Sequence, residues 1–199
     1  MTSFRKTCRI VFIGVQLVVI CSTLPFFIYN YFTGSYAYRF RYAELRQGTL
    51  KSDFIFSILG SQFPNNANVL HERSVAFNKR GIYTRGFQLL DSAVSIDPIS
   101  HLGYRGYIKL YMLRDYTGAL QDFVKLDPLT KNHVDYPMSE NIHFLMAISY
   151  DKIGNFDAAL KNFDIARTSS LEGFIDYKIN LYEAIVLFQN HRFADAIPL

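Results

Sequence analysis

Tryptophan is absent, cysteine occurs only as Cys8 and Cys21, and the 199 residues include just six prolines and 11 glycines. With both thiols in the first 21 residues, no disulfide framework can hold the remainder. Thiolate metal sites and a cysteine nucleophile are excluded there on the same ground. So little proline and glycine excludes a low-complexity or collagen-like chain. Acid is also missing at first, since the earliest carboxylate is Glu44. Setting aside Arg5, Lys6, Arg9 and Arg39, residues 40–199 carry 17 basic and 17 acidic residues. The net charge of +4 therefore belongs to the N-terminus. A folded region without a basic stripe has nothing to displace counterions from phosphates, so a nucleic-acid partner is not expected.

Catalytic patterns are missing as well. The five histidines are His71, His101, His133, His143 and His191, with no HExxH among them. No GxxxxGK[ST], GxGxxG or GxSxG sequence occurs. An active site needs a convergent set of groups, and none is legible, so an enzyme, a metal and a cofactor are not expected.

What is present is apolar: half the chain is hydrophobic and 16% is aromatic, which excludes a disordered chain. Between Arg9 and Arg39 lie 29 residues without a charge. Of residues 10–28, 13 of 19 are Ile, Leu, Val or Phe. A spanning helix needs roughly 20 apolar residues. Tyr29, Tyr31, Phe32, Tyr36 and Tyr38 follow as an aromatic belt would at the lipid boundary. Residues 10–32 thus read as a single membrane anchor, with a cleaved signal peptide and a buried helix as the alternatives. The basic residues before the span favour a cytoplasmic N-terminus and a folded domain outside the cytoplasm, in the periplasm if the source is bacterial.

Downstream the chain repeats. In residues 146–166, Ala147, Ala159 and Ala166 are small, Met146, Tyr150, Phe156 and Phe163 are large, and Gly154 stands between two helical stretches. Small residues let two helices cross closely, and the glycine allows a left-handed turn. This pattern resembles the tetratricopeptide repeat (TPR), a pair of antiparallel helices recurring every 34 residues or so. In the resemblance, only His143 departs from the large-residue positions. Gly81, Gly86, Ala93 and Pro98 mark a preceding unit, and Gly106, Ala119, Phe123 and Pro128 a shorter one with Arg114 where glycine would stand. Tyr182, Ala184, Phe193 and Ala196 mark a partial last unit. The expectation is an all-α, TPR-like α-solenoid behind one transmembrane helix. Residues 1–35 form the flank and anchor, 36–66 a degenerate repeat or helical linker, and 67–199 the repeats, at about 67–100, 101–130, 140–173 and 177–199. In the linker, Phe54, Ile58 and Leu59 are expected on a second helix, and Ser139 is placed to cap the helix that follows the long connection.

The resemblance also implies a concave groove lined by the first helix of each repeat. Carried over by register, it comprises His71, Val75 and Asn78; His101, Tyr104, Ile108 and Tyr111; Asn141, Phe144, Ile148 and Asp151; and Lys178, Leu181, Ile185 and Phe188. Such a lining suits an extended or helical peptide. The positions at which one TPR subclass clamps a C-terminal carboxylate hold His71, Val75, Arg105, Asn141 and Leu145, which departs from its pattern and argues against that ligand. The function expected is a membrane-anchored adaptor or scaffold binding protein segments, or else the regulatory front of an enzyme whose catalytic domain lies elsewhere. Pro198 cuts the last helix short. The preceding helix should then leave Ala184, Leu187 and Phe188 uncovered, as a surface for a partner or a second copy.

Overall fold

The computed structural model describes residues 33–130, 133–169 and 177–197, together with Ile13, Gly14, Gln16 and Tyr29. The anchor expected at residues 10–32 therefore lies almost wholly outside the described residues, among which no helix is long and apolar enough to cross a membrane. The described part is helical throughout and contains no strand. It divides into two compact units, Met1–Leu89 and Leu90–Leu199.

The first unit contains α1 (Tyr36–Glu44), α2 (Leu50–Gln62), α3 (Ala67–Asn78) and the start of α4 (Tyr83–Ile96). Side chains that prefer to bond nearby backbone open these helices: Ser35 accepts from the Tyr38 amide, Thr49 from Ser52 and Asn66 from Val69. Gly48 and Gly81 take positive φ in the turns, where a Cβ would be strained. Ala43, Ile55, Phe56, Leu59 and Val69 form the core. The Phe40 and Phe56 rings meet edge-on at 5.5 Å. The Ser52 hydroxyl donates to the Ala43 carbonyl at 2.8 Å, so its burial leaves no unmade bond. Phe54, Ile58 and Leu59 all lie on α2; Leu59 is buried with Ile55 and Phe56, Ile58 is half-buried and Phe54 is exposed.

The second unit holds the end of α4, then α5 (Pro98–Ile108), α6 (Tyr116–Leu126), α7 (Ile142–Lys152), α8 (Phe156–Thr168), α9 (Tyr177–Gln189) and α10 (Phe193–Ala196). Pro98 opens α5 at a position that needs no amide, behind an Asp97 cap, instead of closing α4. α7 and α8 pack where Ala147 and Ala159 are fully buried. α5 and α6 pack still more tightly, since a Cβ on Gly106 would fall 2.6 Å from the Phe123 ring. Gly154 turns through φ 81° between α7 and α8. Arg114 makes the corresponding turn after α5 at φ 55°, following a π-helical turn over Lys109–Leu113. His191 does the same before α10.

The cap expected from Ser139 is supplied by Asn141, because Met138 and Ser139 are themselves left-handed and Pro137 is buried. His143, the one departure from the repeat pattern, is half-buried and bonded to Asn162 Oδ1 at 3.2 Å. Leu187 is buried, against expectation, whereas Phe188 stays exposed.

Candidate partner-binding surfaces

In the first unit the register places His71, Val75 and Asn78 on one face of α3. Only His71 is accessible, and it is half-buried; Val75 and Asn78 are core residues. The Asn78 amide lies against Gly86, where a Cβ would collide with it, so that face is filled by the next helix rather than open to a ligand.

In the second unit, Ile108, Asn141, Phe144 and Ile148 are likewise buried and line no groove. Their register is that of a first helix, but the helices that follow cover them. Asn141 is occupied structurally: it accepts from the His143 amide at 2.9 Å and donates to the Ser169 hydroxyl at 3.2 Å. Phe144 is sealed between Phe163 and the edge-on ring of Tyr182, 5.3 Å away.

What reaches solvent is a smaller set. Tyr104 on α5, Tyr111 in the π-helical turn after it and Asp151 on α7 are half-buried, and Leu181 and Ile185 on α9 are exposed. The Tyr107 and Tyr111 rings, one helical turn apart, meet at 4.7 Å with their planes tilted by 52°. Burial pushes the Tyr111 hydroxyl far above its ordinary pKa, and Glu140, Tyr182 and Tyr107 push it the same way. Tyr111 thus stands within electrostatic reach of Tyr107, of Tyr182 on α9 and of Glu140, which is bonded to Lys178 at 2.5 Å. Tyr111 stands inside the π-helical turn, a local widening that often re-aims a side chain at functional sites. Beside this cluster α9 presents Tyr177, Leu181, Ile185 and Phe188, exposed by 78, 58, 42 and 64% and spaced along one helical face. Register selected Tyr111, Leu181 and Ile185 but missed Tyr107, Tyr182 and Glu140. The spacing of four between Tyr107 and Tyr111 was the available signal for the first.

His101, expected by register to line the groove, is buried on α5. Burial lowers its pKa, against a smaller opposing pull from Asp97. The unfolded chain takes up a proton at about pH 6.5, whereas the folded chain resists until lower pH. The stability contributed by neutral His101 is thus complete above pH 6.5 and is lost as pH falls through the folded value. In urea unfolding between pH 7 and 5, His101→Gln should flatten the fall of the midpoint. A fall as steep in the variant as in the parent would refute this.

Among the described residues no group of three His, Cys, Asp or Glu side chains is placed to hold a metal ion. No family model matches the chain and no curated protein matches it. Several solved structures do. MamA AMB-1 superposes with a TM-score of 0.65 at 18% identity, over 81% of this chain and 84% of that one. MamA 41-end from Desulfovibrio magneticus RS-1 gives 0.66 at 14% identity, over 80% and 90%. A tetratricopeptide repeat protein from Parabacteroides merdae ATCC 43184 gives 0.62 at 20% identity, over 85% of this chain and 62% of that one. At such identities the likeness is one of fold. The chain has an all-α, TPR-like fold.

Proposed function

We propose that this protein is a membrane-anchored adaptor, held by residues 10–32, whose repeat region lies outside the cytoplasm and binds segments of partner proteins for assembly of a membrane-associated complex. The observation that carries the reading is the proximity of Tyr111 to Tyr107 and Tyr182, beside the exposed stripe of α9. Tyrosine offers a large amphipathic contact area at low entropic cost and recurs at the centres of protein interfaces. The apolar stripe is the part of this surface that would also serve self-association through the C-terminal helix. The likeness in fold to TPR structures is consistent with such a role, although fold alone does not assign one.

Photocrosslinkers at Tyr104 and Leu181, in native membranes, should capture a defined protein at both sites. Recovery of lipid alone would overturn the adaptor reading; recovery of the chain itself would reduce it to self-association. The full-length protein should resist extraction by salt and alkali and come out in detergent. Release by alkali alone would remove the anchor.

A further inference from the structure

The first unit contains a cleft of about 160 Å³ between α2 and α3, walled by Phe56 and Phe77 and edged by Asp53, Ser57, Arg73 and Arg80. Its two guanidiniums differ in what they meet. Arg80 is bonded to Asp53 and donates through Nε to the Ala76 carbonyl at 2.9 Å. Arg73 makes no hydrogen bond or ion pair with any described residue. The charge that acts on it is another cation, Arg85, and this adds to burial in lowering its pKa.

Arg73 nonetheless has a close neighbour on α2. It packs across Gly60, and a Cβ there would fall 3.0 Å from its Cζ. A glycine inside a helix costs roughly 1 kcal/mol relative to alanine, and this one leaves room for a guanidinium. Desolvation of a charge without a partner is unfavourable, and Arg73 is partly desolvated. Among the described residues Arg73 is unpaired.

We propose that this cleft binds a carboxylate carried by a partner protein, the Arg73 guanidinium taking the two oxygens as a fork while the half-buried Phe77 ring receives the apolar atoms that bear it. The assignment to a monoanion follows from the lining. Asp53 neutralises Arg80, leaving one net positive charge, and its own carboxylate at the rim repels a dianion such as a phosphate monoester. The cleft is smaller than the roughly 300–1,000 Å³ of small-molecule sites, which fits one residue of a larger partner. It lies on a different face of α3 from His71, Val75 and Asn78. The inference deepens the protein-binding reading above and rests on it, at a separate place on the chain.

The test uses the full-length protein and three probes: N-acetyl-phenylalanine, N-acetyl-phenylalaninamide and N-acetyl-glutamyl-phenylalaninamide. Binding is read from the Arg Nε–H resonances and from the shift in unfolding midpoint. At least one carboxylate probe should bind more tightly than the neutral amide, and which of the two does so tells a chain-end carboxylate from an acidic side chain. Arg73→Gln should weaken that binding on the order of tenfold, as loss of a charge-assisted pair does. Arg73→Lys should recover only part of it, having no fork. Without a probe, Arg73→Gln should keep or raise the unfolding midpoint, which a purely structural arginine would not allow. Equal binding of all three probes, or equal affinity in Arg73→Gln and the parent, overturns the proposal. So does displacement of the carboxylate by inorganic phosphate at lower concentration than by acetate. Crosslinking from Tyr104 and Leu181 reports on the protein-binding reading separately, so either can fail alone.

Discussion

Asp122→Ala should destabilise the second unit by about 3–5 kcal/mol, the cost of stranding buried charge. The Asp122 side chain on α6 is only 5% exposed and takes both oxygens of its carboxylate into bonds from α5. Arg105 reaches it through Nε at 2.9 Å and Nη2 at 2.7 Å, and Lys109 at 2.9 Å. Burial works against the Arg105 charge, yet Asp122 and then Asp91 hold its pKa above the usual guanidinium value. Without Asp122, two half-buried cations face each other, and Asp91, whose side chain is mostly exposed, screens little. Replacing Asp122, Arg105 and Lys109 together by apolar residues of similar volume should restore most of the loss, since no charge remains uncompensated. Urea unfolding of the single and triple variants decides the matter. A loss below about 1 kcal/mol in Asp122→Ala would show that solvent compensates both cations.

Phe163→Ala is expected to cost a similar amount, about 3–5 kcal/mol, by a different route. The ring is fully buried on α8 and sits 6.3 Å from Phe144. Its removal leaves a cavity that two backbones already close together at Ala147 and Ala159 cannot collapse to fill. Phe144 also holds Tyr182, so the loss should spread to α9 and appear there as faster hydrogen exchange. Phe188→Ala is the control: the ring is largely exposed, and its removal should change stability by less than about 0.5 kcal/mol. Comparable losses in both variants would mean that α9 does not pack as described.

The pairs around Ala147, Ala159 and Gly154 were legible because close helix crossings and left-handed turns each demand one kind of residue. Arg114 and His191 escaped that logic. Both adopt a conformation that costs an ordinary residue roughly 1–2 kcal/mol, and neighbouring bonds such as Asp115 N to Lys109 O at 2.9 Å offset it. That some of the register-selected residues are buried has another cause. Spacing shows which residues share a face, but not whether the next helix covers that face, as it does over Val75, Asn78, Phe144 and Ile148. The Arg105–Asp122 pair joins positions 17 apart on different helices, a distance at which charge spacing carries no signal. Helix starts were less legible: the sequence assigns Pro98 to the preceding unit although it opens α5 behind Asp97, and the cap expected from Ser139 falls to Asn141 through backbone that only the fold determines.

The pairing of helices that are next, or next but one, along the chain has a consequence for how the protein comes into being. In the second unit α5 packs on α6, α6 on α7, α7 on α8 and α8 on α9, and in the first α1 packs on α2 and α2 on α3. Each contact closes only a short loop, and the entropy of closure grows with loop length. Side-chain caps such as Asn66 and Asn155 mark helix starts using residues three positions away at most, before any partner helix exists. A hairpin such as α7–α8 can therefore assemble as soon as it has left the ribosome, without waiting for a distant strand or terminus. A chain built this way exposes its apolar surface only briefly during synthesis, which suits a protein whose finished surface keeps an apolar stripe uncovered.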